Sequence, residues 1–539
     1  MKKFILLIVF LGASLTVSSF NHLEKNDLMI AKNNTVTNHI NSFDVYDFQT
    51  VNVELLNDFF KRYPNLKQYQ NEVASLYKNR SYEPIWFQDN SINALGQTLY
   101  QKLKNLDQEG LAIKLPYKKD LDLAFGSDNA DKLSESDTDM LLSTMYVIYM
   151  SNVYEGIDAE TVKKSGWLLP KKKISYVALL DSLMTNPALL EKNNDLLIPQ
   201  YYKLQEVLKK YQKIEQDKTW TPIAFTAPYK DLRPDATSEI IRQVRNRLFL
   251  LGDLATDSGS DFYDRELMDG VMKYKLRNGL TPNYIIKEEH IQQLNVPIAE
   301  RIKTLMINME RSRWISPKMI QENEFVMVNV PSFMLKYVKN GKTELESNVF
   351  VGASYTKTTI FSGKIDKIVF SPYWYIPQSI VENELKMKIA ADPNYLTDHN
   401  MEIVNGQMRQ NPGPDNSLGL VKFIFPNGDD IYMHDTPAKT LFEFERRTFS
   451  HGCINVKKAK ELAIAMLQDY PEWSPEKVDT AMAGVTEKPF KLATPIPIYI
   501  SYFTAWVNEN GEVGFYQDVY EHDNELSSAL FPQDIVALN

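Results

Sequence analysis

The hydrophobic period along this chain changes near its middle. Between Val53 and about Ile214 apolar residues return at helical spacing, as in Leu99, Leu103 and Leu106 or Leu141, Met145 and Ile148, which predicts a run of amphipathic helices. An extended aromatic segment, Tyr82 to Phe87, interrupts it, and Gly110 behind Gln108-Glu109 reads as a helix end. Tyr82 and Trp86 in that segment are read as core residues, with sugar stacking as the other use of such rings. Trp220 to Pro234 has little periodicity and marks a boundary. Three short helices follow between Ile240 and Asn295, with apolar faces Ile241/Val244/Leu248 and Leu267/Val271/Tyr274 and a last helix from Glu288 to Leu294. Ala299 to Trp314 predicts a further helix, with Ile302, Leu305, Met306 and Met309 on one face and Arg301, Lys303, Arg311 and Arg313 elsewhere.

From Glu324 onward the period shortens to two. Phe325–Val330 and Phe333–Val338 read as strands, with a hairpin signal after them at Lys339–Lys342, followed by Val349–Val351, Lys367–Phe370, Val421–Phe425 and Ile431–His434. Pro497 to Val507 reads as one continuous buried strand, turned by Asn508–Gly511 into Val513–Phe515. Helical character returns between Pro372 and about His399, and again over Lys457–Gln468. The predicted fold is multidomain α+β: a helical N-terminal scaffold (52–219), a small three-helix domain (235–297), a linker helix (298–323) and a mainly-β domain (324–539). A helical capping insertion over about 372–408 interrupts the last of these.

Composition narrows the function. A chain of 539 residues exceeds one core and implies roughly three or four domains. A formal charge of −9 excludes general nucleic-acid binding by phosphate neutralisation. The chain has no Walker loop, no GxGxxG after a strand, no CxxC and no HExxH, so neither an organic cofactor nor a metal is expected. Lys2 and Lys3 precede an uncharged apolar stretch to Phe20, which reads as a secretory signal or anchor over 1–20, with a polar leader over 21–51. The expected location is outside the cytoplasmic membrane, in the periplasm or envelope. There a single cysteine cannot form an intramolecular bridge, and an unpaired thiol points to reactivity.

That cysteine, Cys453, lies in YMHDTPAKTLFEFERRTFSHGCINV, Tyr432 to Val456, which also holds two of the seven histidines, His434 and His451. A lone cysteine is equally at home as a small core residue. Here a strand leaving the Asn427–Asp430 turn would place Tyr432 and His434 on one face. Thr436-Pro437 would end that strand, and the loop returns to a glycine-flanked thiol, so that an imidazole and a nucleophile come within reach.

HDTP followed by RRxFSHGCIxV resembles the signature of L,D-transpeptidases with a YkuD-type catalytic domain. The three-helix stretch, with IxxVRxRLxxLGD and NGL, is similar to peptidoglycan-binding-like domains, although Asn283-Tyr284 stand where Asp-Gly is usual. The resemblance implies a β-sandwich-like catalytic domain and acyl transfer through a thioester on Cys453, forming 3→3 crosslinks in peptidoglycan. It implies His434 as general base, Tyr432 and the backbone N–H groups of the Gly452-Cys453 turn as oxyanion donors, and His451 as a group that promotes the thiolate or holds the loop. Arg447, Ser450 and Asn455 beside the cysteine, Arg409 and Asn416 in the preceding loop, and Trp374 in the cap are the candidate substrate contacts, with loop-fixing as the alternative for several of them. Asn455 replaces the arginine most common there. Donor tetrapeptide stems and an acceptor amine are the implied partners, wall-synthesis proteins are candidate partners, and carbapenems are the implied covalent inhibitors. A hydrolase of the same fold and a non-catalytic wall-binding scaffold remain open. A papain-like protease is disfavoured because His434 precedes Cys453.

Overall fold

The computed structural model describes residues 51–126, 133–190 and 195–531. The signal segment and nearly all of the expected leader lie outside them. In the N-terminal part, helices Val53–Arg62, Gln70–Asn79, Ala94–Lys104, Tyr176–Thr185 and Pro199–Gln216 accompany Glu135–Met150, which is buried continuously from Thr138 to Met150. Such all-round burial explains why Glu135–Met150 carries apolar residues on every face. Asn52, Asn93 and Ser134 each accept a main-chain N–H at a helix start. Trp86 is fully buried and donates through Nε1 to Ser143, so the extended aromatic segment is a core anchor. Its main-chain N–H and that of Ile85 donate to Asp139, which burial pushes up to about 6 against these hydrogen bonds.

Helix Ile298–Trp314 joins the helical and β parts. Its residues Leu305 to Trp314 are all buried, Arg311 and Arg313 included, which corrects the expected one-sided amphipathic helix. The arginines are inside because each has partners there. Arg311 pairs with Asp523 at 2.5 Å, and Arg313 pairs with Glu310 at 2.9 Å while donating to the carbonyls of Val153 and Glu109. Glu310 also accepts from Ile157 N–H at 2.7 Å and Trp314 Nε1 at 2.8 Å. Gly156 makes this approach possible: its φ is +73°, and a Cβ there would lie 2.0 Å from Glu310 Oε1. Gly156→Ala is therefore expected to destabilise the protein by about 3 kcal/mol, read as a lower urea midpoint, because the carboxylate cannot retreat without unpairing a buried ion.

The three predicted helices of the small domain are Glu239–Leu251, Arg265–Arg277 and Glu288–Leu294, around a core of their own that includes Ile241, Leu248, Leu267 and Ile291. This domain docks on the β part through Arg277 and Asn278, with Lys273–Glu512 at 2.9 Å and Thr281 N–H to Glu445 at 2.7 Å beside them. Arg277 grips Asp253 at 2.6 Å and donates to the Val513 carbonyl, and neighbouring Asn278 accepts from Phe515 N–H at 2.9 Å.

Among the described residues the main sheet of the β domain has nine strands: β1 (Glu324–Asn329), β2 (Met334–Lys339), β3 (Lys342–Gly352), β4 (Ser362–Phe370), β5 (Val421–Ile424), β6 (Met433–His434), β7 (Thr448–Ser450), β8 (Ile454–Val456) and β9 (Lys488–Ser501). They run in the order β7-β3-β8-β6-β5-β4-β9-β1-β2, and β2 pairs back onto β3. All but β7 therefore close into a ring, where a sandwich-like pair of sheets was expected, and closure leaves the ring no free edge. The strand expected over Pro497–Val507 begins earlier and stops at Ser501. Asn329 takes both main-chain groups of Phe503, accepting at 2.7 Å and donating at 3.0 Å, and so turns the chain out of the ladder. Ala505–Val507 then pairs only with Val513–Phe515. The capping insertion is a three-stranded sheet, Trp374–Tyr375, Gln407–Gln410 and Met401–Val404, with helical turns over 378–391 and 395–398.

Candidate active site

The site arises from one strand pairing. β6 and β8 are parallel neighbours, with Met433 opposite Ile454 and His434 opposite Asn455. Side chains alternate across a sheet, so fully buried Met433 and Ile454 share the core face. Tyr432, His434, Cys453 and Asn455 share the other face. Cys453 immediately precedes β8, opposite Tyr432, whose carbonyl accepts from Ile454 N–H at 3.1 Å. His434 is one pleat further along, on the diagonal to the cysteine.

Cys453 keeps partial solvent access while its sulfur is packed among protein atoms. Sγ lies 3.8 Å from the Asp430 carbonyl, and burial pushes the thiol up to about 11 although Tyr432 donors pull the other way. The group at rest is thus a thiol, which would need a base to act as a nucleophile. Tyr432 is held above its usual value by burial and by the neighbouring thiol, which keeps its hydroxyl a donor; its ring is 5.7 Å from that of His434.

His434 is buried, with Nδ1 2.5 Å from the Asp435 carbonyl. That contact puts the ring proton on Nδ1 and the lone pair on Nε2, the tautomer a general base needs. Burial lowers the imidazole to about 4, outweighing the Asp435 and Leu418 main-chain acceptors. No hydrogen bond joins His434 to Cys453 among the described residues, so the thiol must turn from the Asp430 carbonyl to deliver its proton. The Asp435 side chain is directed elsewhere: it pairs with Lys439 and accepts from Leu420 N–H at 3.0 Å, so it orients the histidine through its backbone.

The depressed histidine also sets an acid limit on stability. Unfolded, the ring binds a proton near pH 6.5; folded, near 4. The unfolded chain therefore binds more protons in between, and stability present above about pH 6.5 is lost as pH falls toward 4, by about 3 kcal/mol. Urea midpoints measured on both sides of this window should show the loss in the native chain and a smaller one in His434→Gln.

The cysteine loop is held from several sides. Ser450 Oγ donates to the Cys453 carbonyl at 2.6 Å and accepts from Gly452 N–H at 3.1 Å. The Gly452 N–H is therefore engaged, which corrects its expected role as an oxyanion donor. Gly452 has φ +117°, and its carbonyl accepts from Thr358 Oγ1 at 2.7 Å. His451 is exposed, and its Nε2 lies 2.6 Å from Glu384 of the cap. Thr358 and Glu384 carry no motif and were not singled out from the sequence. Glu384 follows Glu382 in an ordinary acidic helical turn, and Thr358 lies in a polar loop, so only the fold brings either to the cysteine.

The candidate substrate contacts divide. Arg447 is buried, donates to the Val349, Phe444 and Phe333 carbonyls, and is lowered to about 10 by burial, so it fixes the loop and has no exposed face for a carboxylate. Asn416 is equally occupied: it donates to Pro372, Gln410 and Asn411 carbonyls and accepts from Leu418 N–H. Arg409 stands on the cap sheet, clasped by Glu402 at 2.6 Å over the Tyr373 ring. Trp374 is half-buried on that sheet opposite Gln410, and Asn455 is buried beside His434.

Among the described residues, one cluster has metal-ligand composition. Glu289, His290 and Glu445 bring their ligand atoms within 4.8 Å of one another. His290 Nδ1 accepts from Lys287 N–H at 2.9 Å, so the neutral ring carries its proton on Nε2, the buried nitrogen that has no partner. It therefore presents a donor to two carboxylates, and the group is a poor metal site.

Residues 323–486 match the family model of the L,D-transpeptidase catalytic domain, YkuD, and residues 71–208 match that of a scaffold domain. A curated Haemophilus influenzae protein, whose name assigns it provisionally to the L,D-transpeptidases, is 32% identical over 232 residues, 39% of this chain and 47% of its own length. The chain thus spans about half the length of that relative. Among solved structures, an L,D-transpeptidase from Mycobacterium smegmatis matches at 13% identity and TM-score 0.19, over 33% of this chain and 58% of its own. One from Stackebrandtia nassauensis matches at 15% identity and TM-score 0.21, over 51% and 97%.

Proposed function

We propose that this chain, whose residues 323–486 match the YkuD-type catalytic domain, is an L,D-transpeptidase that forms 3→3 crosslinks in peptidoglycan by acyl transfer through Cys453. The observation that carries this reading is the parallel β6–β8 pairing, which puts a thiol, a neutral imidazole with the required tautomer and a protonated phenol on one face.

In the proposed reaction His434 Nε2 takes the thiol proton as sulfur attacks the carbonyl between residues three and four of a tetrapeptide stem. The carbon–sulfur bond forms, the tetrahedral oxyanion is met by the Tyr432 hydroxyl, and the C–N bond breaks as the histidine returns its proton to departing D-alanine. An amine on a neighbouring stem then attacks the thioester, releasing the thiol. Water in place of that amine would make the same site a hydrolase. The enzyme is proposed to work outside the cytoplasmic membrane, consistent with its apolar N-terminus, and carbapenems are proposed to acylate Cys453.

The test is incubation of the chain lacking residues 1–20 with a disaccharide-tetrapeptide, with products read by mass spectrometry beside Cys453→Ala. Dimer with loss of one D-alanine, absent from the variant, is the expected result. Tripeptide alone would mean hydrolysis. No product and no carbapenem adduct would overturn the proposal.

A further inference from the structure

We infer that Glu384 is a positioning residue of this reaction, carried on the cap and acting through His451; the inference rests on the transpeptidase reading of Cys453. Four side-chain ties hold the loop from Ser450 to Cys453. Ser450 ties the Cys453 carbonyl, Thr356 the Ser450 carbonyl and Thr358 the Gly452 carbonyl, and all three belong to the catalytic domain's own frame. The fourth is the 2.6 Å contact between Glu384 Oε1 and His451 Nε2, which joins residues 67 apart in sequence.

Glu384 sits in the helical turn Val381–Leu385, and of residues 378–391 only Leu385 is buried. So little burial leaves this stretch among the parts of the fold that open at small cost. A carboxylate accepting from Nε2–H fixes the neutral imidazole of His451 in one tautomer, with its lone pair on Nδ1, and holds the ring in one orientation. Gly452, at φ +117°, gives the backbone between ring and thiol a conformation that other residues rarely adopt, so the setting of the ring bears on the placement of the cysteine. Glu384 thus makes the geometry beside the nucleophile depend on the cap being down. A donor stem is processed when the cap has returned over it, and lifting the cap removes the one tie of the four that comes from outside the domain's own frame.

The sequence offers a clean comparison. Glu384→Gln keeps an oxygen that accepts from Nε2–H, whereas Glu384→Ala removes it. Both changes are at an exposed position, and His451→Gln identifies the ring's signals among the seven histidines. The experiment records nitrogen-15 spectra of histidine-labelled full chain in mildly alkaline buffer, together with kcat and KM for the tetrapeptide donor. The expected result is a single Nε2–H tautomer for His451 in the native chain and in Glu384→Gln, and a mixture in Glu384→Ala. With it, kcat should fall about fivefold in Glu384→Ala at unchanged KM and recover in Glu384→Gln. An unchanged tautomer in Glu384→Ala, equal losses in both variants, or a shifted tautomer with unaltered kcat would each overturn the inference. A native chain with the tautomer expected and no turnover would instead refute the transpeptidase reading.

Discussion

His434→Gln is expected to lower kcat by about 10³-fold and to change the shape of the pH profile. In the reaction proposed above the competent pair is a neutral imidazole and an un-ionised thiol. Burial puts the first at about 4 and the second at about 11, so kcat/KM should be level between those limits and fall on the acid side. Without the base, turnover can use only the thiolate that exists in advance, and the residual rate should climb about tenfold per pH unit until the thiol ionises. Alkylation of Cys453 by iodoacetamide needs no proton acceptor of its own. As the chain has one thiol, intact mass reports that site alone, and its rate should climb in the same way in the native chain. A native turnover profile that also climbs through neutrality would mean that the histidine is not the base.

The second large effect is structural. Glu310→Ala is expected to destabilise the fold by about 3–5 kcal/mol, because it removes the carboxylate that pairs directly with the buried Arg313 guanidinium. It also orphans Ile157 N–H and Trp314 Nε1. Denaturant midpoints measure the loss. Paired with Gly156→Ala, the two changes should be far from additive, since both act on the same carboxylate. In the fraction that remains folded, Cys453 alkylation should be unchanged, which separates lost stability from a damaged site.

The sequence was most informative where local chemistry and period agree. Tyr432 and His434 alternate with a buried methionine on a short strand ended by Thr436-Pro437, and that alone puts phenol and imidazole on one face. The three short helices of the small domain were legible from their apolar faces for the same reason. Elements decided by distant partners were not. The Ile298–Trp314 helix looked one-sided because its arginines are charged, and their carboxylates lie at Glu310 and at Asp523, which only tertiary structure brings near. The break after Ser501 depends on Asn329, and ring closure depends on β9 coming between β1 and β4 from far along the chain, pairings that periodicity does not encode. Within the site, the role of Gly452 N–H was misjudged because a serine two residues back can accept from it, a choice set by loop geometry. Arg447 and Asn416 kept two readings in sequence, and their buried carbonyl partners decide for the loop.

The fused core has a consequence for how such a chain can be shared among proteins. The segment recognisable as a transpeptidase domain starts at residue 323, after the helix whose Asn308 and Arg311 hold Thr504 and Asp523. Trp167 of the helical part packs its ring on Trp314 and Phe503, and Leu168 N–H donates to the Ile360 carbonyl at 3.0 Å. A gene fragment cut at the recognisable boundary would deliver the cysteine and its histidine without the wall they lean on. Recombination that moves this catalytic unit intact has to move the preceding helix and part of the scaffold as well, so what is inherited as one piece is larger than what sequence similarity outlines.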